Sequence, residues 1–270
     1  MAEPNGKVSV SAEFAGRRAV VTGGGQGIGA AIAKGLALRG AHVVVSGRRK
    51  ATLDVVCGAI SAGGGEAECC VGDVTDSEHL ERLMALGGGS GGIIDFLVNN
   101  AGIPGPTAPL AEVTLAEWNE TIAVNLTGVF LACKAALPYL ERAEQGKIVN
   151  IGSVTGKQPL PNRTPYAAAK LGVVGLTRTL AHELGPSGIS VNVISPWLVG
   201  GERLESVIRK MAKDRGLSAE ELRAEMTAGT AFKRTVSEQD VVEMTLFLCS
   251  MAANSITGQD INVSAGAVMY

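Results

Sequence analysis

The chain has 270 residues, 46% of them hydrophobic and 19% charged, with a formal charge of −2. That is enough apolar material for a large buried core. The near-neutral balance gives no footing for nucleic acid or an anionic membrane as partner.

The five cysteines, Cys57, Cys69, Cys70, Cys133 and Cys249, are odd in number and form no C-x-x-C pair. A disulfide framework is not expected, and a reducing, cytoplasmic setting fits better. His42, His79 and His182 are scattered, and no residues have metal-ligand spacing. The first residues lack the charged start and apolar run of a signal peptide. No unbroken run of eighteen apolar residues occurs, so no membrane-spanning helix is expected. Residues 1–15 read as a flexible tail.

From Arg17 the elements alternate. "AVV" and "HVVVS" are short β-branched strands, and the stretch between them carries Ile28, Ile32 and Leu36 at helical spacing before Gly40. "ATLDVVCGAIS" predicts a helix and "AECCVGDV" a strand; "EHLERLMAL" a helix and "IDFLVNN" a strand. The long helix "LAEWNETIAVNLTGVFLACKAALPYL" precedes the strand "GKIVNIGS", and "PYAAAKLGVVGLTRTLAHELG" precedes "ISVNVIS". Repeated βαβ units mean a parallel sheet with helices on both faces. No Pro-, Ser- or charge-rich linker divides residues 16–270, which read as a single domain. The alternation breaks at 200–235, where two polar helices are expected as an insertion with Met and Leu residues turned toward a cleft. Ser218 and Glu221 form a capping-box signature for the second. A last helix, "SEQDVVEMTLFLCS", and a strand within "ITGQDINVSAGAVMY" close the chain.

Between the first strand and first helix lies "VVTGGGQGIG". Its glycines let the backbone turn sharply and approach a pyrophosphate, which the helix N-terminus attracts with free N–H groups and partial positive charge. The spacing is T-G-x-x-x-G-x-G, one residue longer than the usual dinucleotide fingerprint. A tight turn without a ligand is the plain alternative.

Thr22-Gly23…Gly27-Ile28-Gly29, Asn99-Asn100-Ala101-Gly102, Ser153, Tyr166 and Lys170 together resemble the motif set of the short-chain dehydrogenase/reductase superfamily, in its compact form. The resemblance runs from about Arg17 to about Gly266. It implies a Rossmann-type doubly wound parallel sheet of about seven strands and a nicotinamide cofactor. Within the loop it implies contacts from Gly23, Gly25, Gln26, Gly27, Ile28 and Gly29. Asp73 resembles the residue that hydrogen-bonds the adenine amino group, with Val74 packed nearby. Asn100, Ala101 and Gly102 suit a backbone lying against the cofactor. For Asn99, a tie between strand ends and a contact role are both open.

The second strand ends "VSGRRK", with Gly47 where an NAD enzyme places an acid to hold the ribose 2′-hydroxyl. Arg48 is the first choice for a 2′-phosphate, because a guanidinium binds it bidentately, and Arg49 stands beside it. NADP(H) is therefore expected over NAD(H), although Gln26 occupies a position often basic in NADPH users of the family.

Tyr166 and Lys170 are four apart in a helical stretch and share a face. A free tyrosine, with a pKa of about 10, is a poor acid-base group near neutrality, and a neighbouring ammonium favours its phenolate. The resemblance implies that Tyr166 exchanges a proton with the substrate oxygen. It implies further that Ser153 hydrogen-bonds that oxygen, and that Lys170 tunes Tyr166 and holds the nicotinamide ribose. Asn125 matches an asparagine that anchors a relay water; a helix residue bonded only to backbone is the alternative.

The chain departs from the family after the sixth strand. In "SPWLVGGER", Trp197 replaces the usual glycine after Pro196 and Gly201 stands where a threonine is common, while the Val199 backbone can still meet the carboxamide. Trp197 reads equally as pocket wall or core plug. "GKQ" after Ser153 is similar to the aromatic polyketide ketoreductases of the superfamily. Glu144 and Ser187 occupy positions that are basic in reductases acting on carrier-protein thioesters. A free small ketone or secondary alcohol, of the kind found in specialised metabolism, is therefore expected. Thr155, Gln158 and Trp197 would join Ser153 and Tyr166 around it. Two other readings stay open: an NAD-linked alcohol or sugar dehydrogenase, and a catalytically idle dinucleotide-binding scaffold. The resemblance also implies a homotetramer, or a dimer, built through the long helices.

Overall fold

The computed structural model describes residues 12–158 and 160–270. Seven strands form one parallel sheet: β1 (Arg18–Thr22), β2 (His42–Gly47), β3 (Glu66–Val71), β4 (Phe96–Asn99), β5 (Lys147–Ile151), β6 (Ser190–Pro196) and β7 (Asp260–Val263). Their order is β3-β2-β1-β4-β5-β6-β7. The chain winds outward from β1 to β3, then returns to start the other half at β4. The connections leaving β1 and β4 therefore part company, which opens a crevice at the carboxyl ends of these neighbours. Thr22 is in register with Asn99, and Asn99 with Asn150. The Gly-rich loop, Asn100–Gly102 and Ser153 follow the ends of β1, β4 and β5.

The helices are α1 (Gly27–Leu38), α2 (Lys50–Ala62), α3 (Ser77–Gly88), α4 (Leu115–Ile122), α5 (Gly128–Leu140), α6 (Thr164–Leu184), α7 (Glu202–Arg215), α8 (Ala219–Thr227) and α9 (Glu238–Cys249). Because strand side chains alternate, Val20 and Val21 enter different cores. Val21, Val43 and Val45 pack with Ile32, Leu36, Leu53 and Leu246 from α1, α2 and α9. Val20, Val44, Leu97 and Ile148 pack with Leu80, Leu83, Ala136 and Val173 from α3, α5 and α6. Burial on both faces is why β1, β4 and β5 carry the apolar runs AVV, FLV and IV.

The predicted long helix is continuous from Leu115 to Leu140 but contains a π turn at Ala123–Thr127. At 26 residues it is long and apolar enough to cross a bilayer by length and composition, although no unbroken apolar run of eighteen occurs. Here its Ala132, Cys133, Ala136 and Leu140 are buried in the core shared with α3 and α6.

The expected tail to residue 15 meets the fold sooner. Ala12–Phe14 forms a 3₁₀ turn, Phe14 is buried edge-on to Phe96 at 5.0 Å, and Glu13 pairs with Arg39 at 2.7 Å. Residues 1–11 of that expectation lie outside the described residues. Within 200–235, α7 and α8 bury Ile208, Ala212 and Leu222 against each other, with Leu204 and Met226 alongside. Leu204, Leu222 and Met226, among the residues expected to face a cleft, thus lie in the interface between the two helices. The Ser218–Glu221 capping box is formed, with bonds of 2.8 and 3.1 Å.

Candidate active site

The β1–α1 turn is a cradle that side chains would fill. Gly23 has φ +64°, and a Cβ there would lie 2.8 Å from Ala101 Cα. A Cβ on Gly29 would collide with the Gly23 carbonyl and the Asn100 amide, and one on Gly25 would meet Thr52 Oγ1 at 2.7 Å. Gln26 takes the N-cap position of α1 in extended backbone but makes no side-chain cap bond. The first-turn N–H groups, with the positive end of a twelve-residue helix behind them, thus face outward without a side-chain acceptor. That arrangement fits a pyrophosphate.

Gln26 is tied elsewhere: its Oε1 accepts from Arg49 Nη2. The basic turn after β2 is therefore latched to the Gly-rich loop by Arg49, while Arg48 stays exposed, 3.9 Å from Asp73. Asp73 accepts from the Thr75 N–H and hydroxyl at 3.0 and 2.9 Å. Burial pushes its carboxyl up, but the Thr75 bonds and the Arg48 charge outweigh that and hold it below its ordinary value. Val74 is buried against Gly128 of α5. Beneath them lies His79, which the sequence reading passed over as scattered. Its ring is buried, 2.9 Å from Ser46 Oγ at the end of β2, and it packs so closely on Gly72 that no Cβ fits there.

Asn100 stitches the crevice. Its side chain donates to the Thr22 and Gly23 carbonyls at 3.2 and 3.0 Å, while the N–H groups of Asn100 and Ala101 donate to Thr22 Oγ1. Asn99 turns into the core, donating to Asn150 Oδ1 at 2.9 Å; Asn150 donates onward to Thr177. Its observed part is the tie between strand ends.

On the other side of the crevice, Ser153 follows β5 and caps a 3₁₀ turn at Val154–Gly156, its Oγ accepting from the Thr155 N–H at 3.1 Å. Pro165 sits in the first turn of α6, where its missing N–H costs nothing. Tyr166 follows, half-buried. One turn on, the buried Lys170 donates from Nζ to the Ile151 carbonyl at 2.8 Å, with Nζ 5.8 Å from the Tyr166 ring centre. Burial pulls the ammonium's pKa down and the Tyr166 phenolate opposes that. The bond to Ile151 therefore fixes Lys170 both to α6 and to the strand that ends two residues before Ser153.

Asn125 lies in the π turn, fully buried. It accepts from the Ile103 N–H at 3.2 Å and donates to the carbonyls of Ile103 and Thr121, each at 3.0 Å. The side chain is bonded to backbone at both ends and holds the Gly102–Ile103 segment in place. A Cβ on Gly102 would lie 2.7 Å from Asn125 Oδ1 and 3.7 Å from Lys170 Nζ, so Gly102, Asn125 and Lys170 converge.

The expected substrate residues separate. Thr155 is buried and Gln158 is exposed. Trp197 is half-buried, its N–H on the Val263 carbonyl at 3.1 Å. Pro196 ends β6 in the core, and Val199 pairs with Val236 as an isolated bridge. Leu198, the residue after Trp197, takes a positive φ of +38°. Gly201, at φ +138°, caps α7 beside Glu238.

Two residues of the loop after Ser153 went unread in the sequence. Lys157 meets Asp260 of β7 at 2.9 Å, with both side chains largely buried and Ser195 Oγ donating to the other Asp260 oxygen at 2.6 Å. The pair is a charge contact outside good hydrogen-bond alignment. Arg163, three residues before Tyr166, carries its guanidinium carbon 4.8 Å from that ring's centre.

Residues 17–212 match the family model described as short chain dehydrogenase. The chain is 39% identical, over 94% of its length and 97% of the relative's, to a cis-4-hydroxycyclohexanecarboxylate dehydrogenase of Sinomonas cyclohexanicum. It is 36% identical, over 93% and 97%, to a 3-oxoacyl-(acyl-carrier-protein) reductase of Synechocystis. The structure matches a single-substitution variant of the actinorhodin polyketide ketoreductase solved with NADPH, at TM-score 0.88 and 35% identity, covering 96% of this chain and all of that one. The family-model match and these likenesses agree: the chain belongs to the short-chain dehydrogenase family and is an NAD(P)-dependent oxidoreductase acting on the CH–OH/C=O couple.

Proposed function

We propose that this enzyme reduces the ketone of a free small molecule to a secondary alcohol, with NADPH preferred to NADH. The observation that carries the chemistry is the anchoring of Lys170 to the Ile151 carbonyl, beside Tyr166 and two residues from Ser153. When bound, the reduced nicotinamide supplies the hydride for the carbonyl carbon. Tyr166 gives its hydroxyl proton to the carbonyl oxygen, and Ser153 donates a hydrogen bond to that oxygen as charge builds on it. Lys170 lies within reach to support the phenolate that remains. The alcohol product returns the same atoms in reverse when the direction is oxidation.

The NADPH preference rests on Gly47 in place of an acid, on the exposed Arg48, and on Arg49 held beside the cradle by Gln26. The ring-acid, acyl and polyketide enzymes that this chain resembles support a ketone or secondary alcohol as the reacting group. Glu144, which faces Arg17 at 3.4 Å, puts an anion where carrier-protein reductases have a cation and supports a free substrate. Helices α7 and α8 act as the substrate lid of one domain in this reading. Exposed Leu115, Phe130 and Leu171 on α4, α5 and α6 are the surfaces for self-association into a dimer or tetramer. The reading is tested by following oxidation of NADPH and NADH in parallel with a panel of open-chain and cyclic ketones. Faster turnover per micromolar NADPH than NADH supports it; no consumption of either with any ketone overturns it.

A further inference from the structure

We propose that Arg163 makes this site selective for ketones that carry a carboxylate a few bonds from the reacting carbonyl; the inference rests on the ketone-reduction reading above and narrows its substrate. Arg163 is the residue before α6, and its half-buried guanidinium lies over the Tyr166 ring. Its position is set from two sides. The ring holds one face of the guanidinium plane by cation–π attraction. Nη1 donates to Thr107 Oγ1 at 2.9 Å and approaches the Pro106 carbonyl at 3.5 Å. The adjoining backbone is clasped as well, since the Ala108 N–H donates to the Asn162 carbonyl at 3.1 Å.

Both bonds use the same terminal nitrogen. Among the described residues, Nη2 and Nε have no hydrogen-bond partner, and Arg163 has no carboxylate partner. Other arginines near the fold's edges do: Arg17 with Asp95, Arg39 with Glu13 and Glu243, Arg215 with Glu225. The outcome is a fixed cation with a donor edge left over, beside the hydroxyl-bearing ring that meets the substrate oxygen. A guanidinium in that state suits a carboxylate, which takes two parallel N–H bonds. The two cations flanking Tyr166 then divide their work. Lys170 is buried and committed to Ile151, whereas Arg163 is only half-buried.

A bracing role for Arg163, holding the 103–108 loop to the start of α6, would predict loss on all substrates alike. The experiment therefore compares matched oxo-carboxylates, open-chain (acetoacetate, 4-oxopentanoate) and cyclic, with their methyl esters. Each pair is measured for kcat/KM in the wild type, Arg163→Met and Arg163→Lys. The expected result is an acid-over-ester preference of about 10- to 100-fold in the wild type. That ratio falls close to one in Arg163→Met and is partly restored in Arg163→Lys, mainly through KM. A wild type that treats acid and ester equally, or a Met variant that lowers both by the same factor, overturns the inference and leaves ketone reduction standing. Failure to reduce any acid or ester overturns the inference, and ketone reduction then falls only if the wider ketone panel above is not reduced either.

Discussion

Lys157 and Asp260, 103 positions apart, meet at 2.9 Å beneath the loop that carries Ser153. The contact joins the loop after Ser153 to the edge strand β7. Both side chains are largely out of water, at 12% and 4% exposure, so removing one leaves the other charge uncompensated. Asp260→Ala is expected to cost about 3–5 kcal/mol and to lower the melting temperature by roughly 10 °C. The double variant Lys157→Met/Asp260→Leu is expected to regain most of that stability. Thermal unfolding of the three proteins checks both statements.

Gly29 has no room for a side chain, because backbone and the Asn100 amide stand where a Cβ would go. Gly29→Ala must push the β1–α1 turn away from the Asn100 stitch, at a cost of about 1–3 kcal/mol. Affinity for either nicotinamide cofactor should fall at least tenfold, as read by fluorescence titration. Gly175, on the open side of α6, meets nothing within 4 Å; Gly175→Ala is the control and should bind cofactor as the parent does.

Arg48 is exposed and only loosely met by Asp73. If it holds a 2′-phosphate, Arg48→Ala lowers NADPH affinity by roughly tenfold, the low end for a charged hydrogen bond because water screens the site. NADH affinity should stay within about twofold. Equal NADPH affinity in variant and parent would sink the assignment.

His79 supplies a pH signature. Burial lowers its pKa from 6.5 in the folded protein, so below that value the unfolded chain binds a proton that the folded one refuses. Its contribution to stability is complete above pH 6.5 and is lost as the pH falls toward the folded pKa. The limiting slope is about 1.4 kcal/mol per pH unit. Denaturant titrations between about pH 7 and pH 5 should show stability falling as the pH is lowered in the parent, and a shallower fall in His79→Gln. Matching slopes would mean that His79 titrates alike in both states.

The legible parts of this protein were those written in local pattern. Alternating strand and helix periods placed all seven strands, and Ser218 and Glu221 marked the start of α8 three residues apart. The Gly-rich loop, "NNAG", Ser153 and the Tyr166–Lys170 spacing each lie within one turn or one strand end. What escaped was made by chain segments distant in sequence. Nothing in "GKQ" says that Lys157 reaches β7, and no spacing rule links Gly72 to the ring of His79. The π turn around Asn125 was hidden because an inserted residue barely disturbs an apolar helical stripe. Phe14 was read as tail because its partner, Phe96, is 82 positions away. Arg163 carries no local signal, because its place over Tyr166 depends on how the loop before α6 turns.

The central claim is that Tyr166 donates the proton in ketone reduction. The direct measurement is single-turnover reduction of a reactive ketone by the NADPH complex of the parent and of Tyr166→Phe, which removes one oxygen and leaves the ring under Arg163. The rate is expected to fall by about 10²- to 10⁴-fold while NADPH affinity changes little. A variant that reduces the ketone within a few-fold of the parent would contradict it.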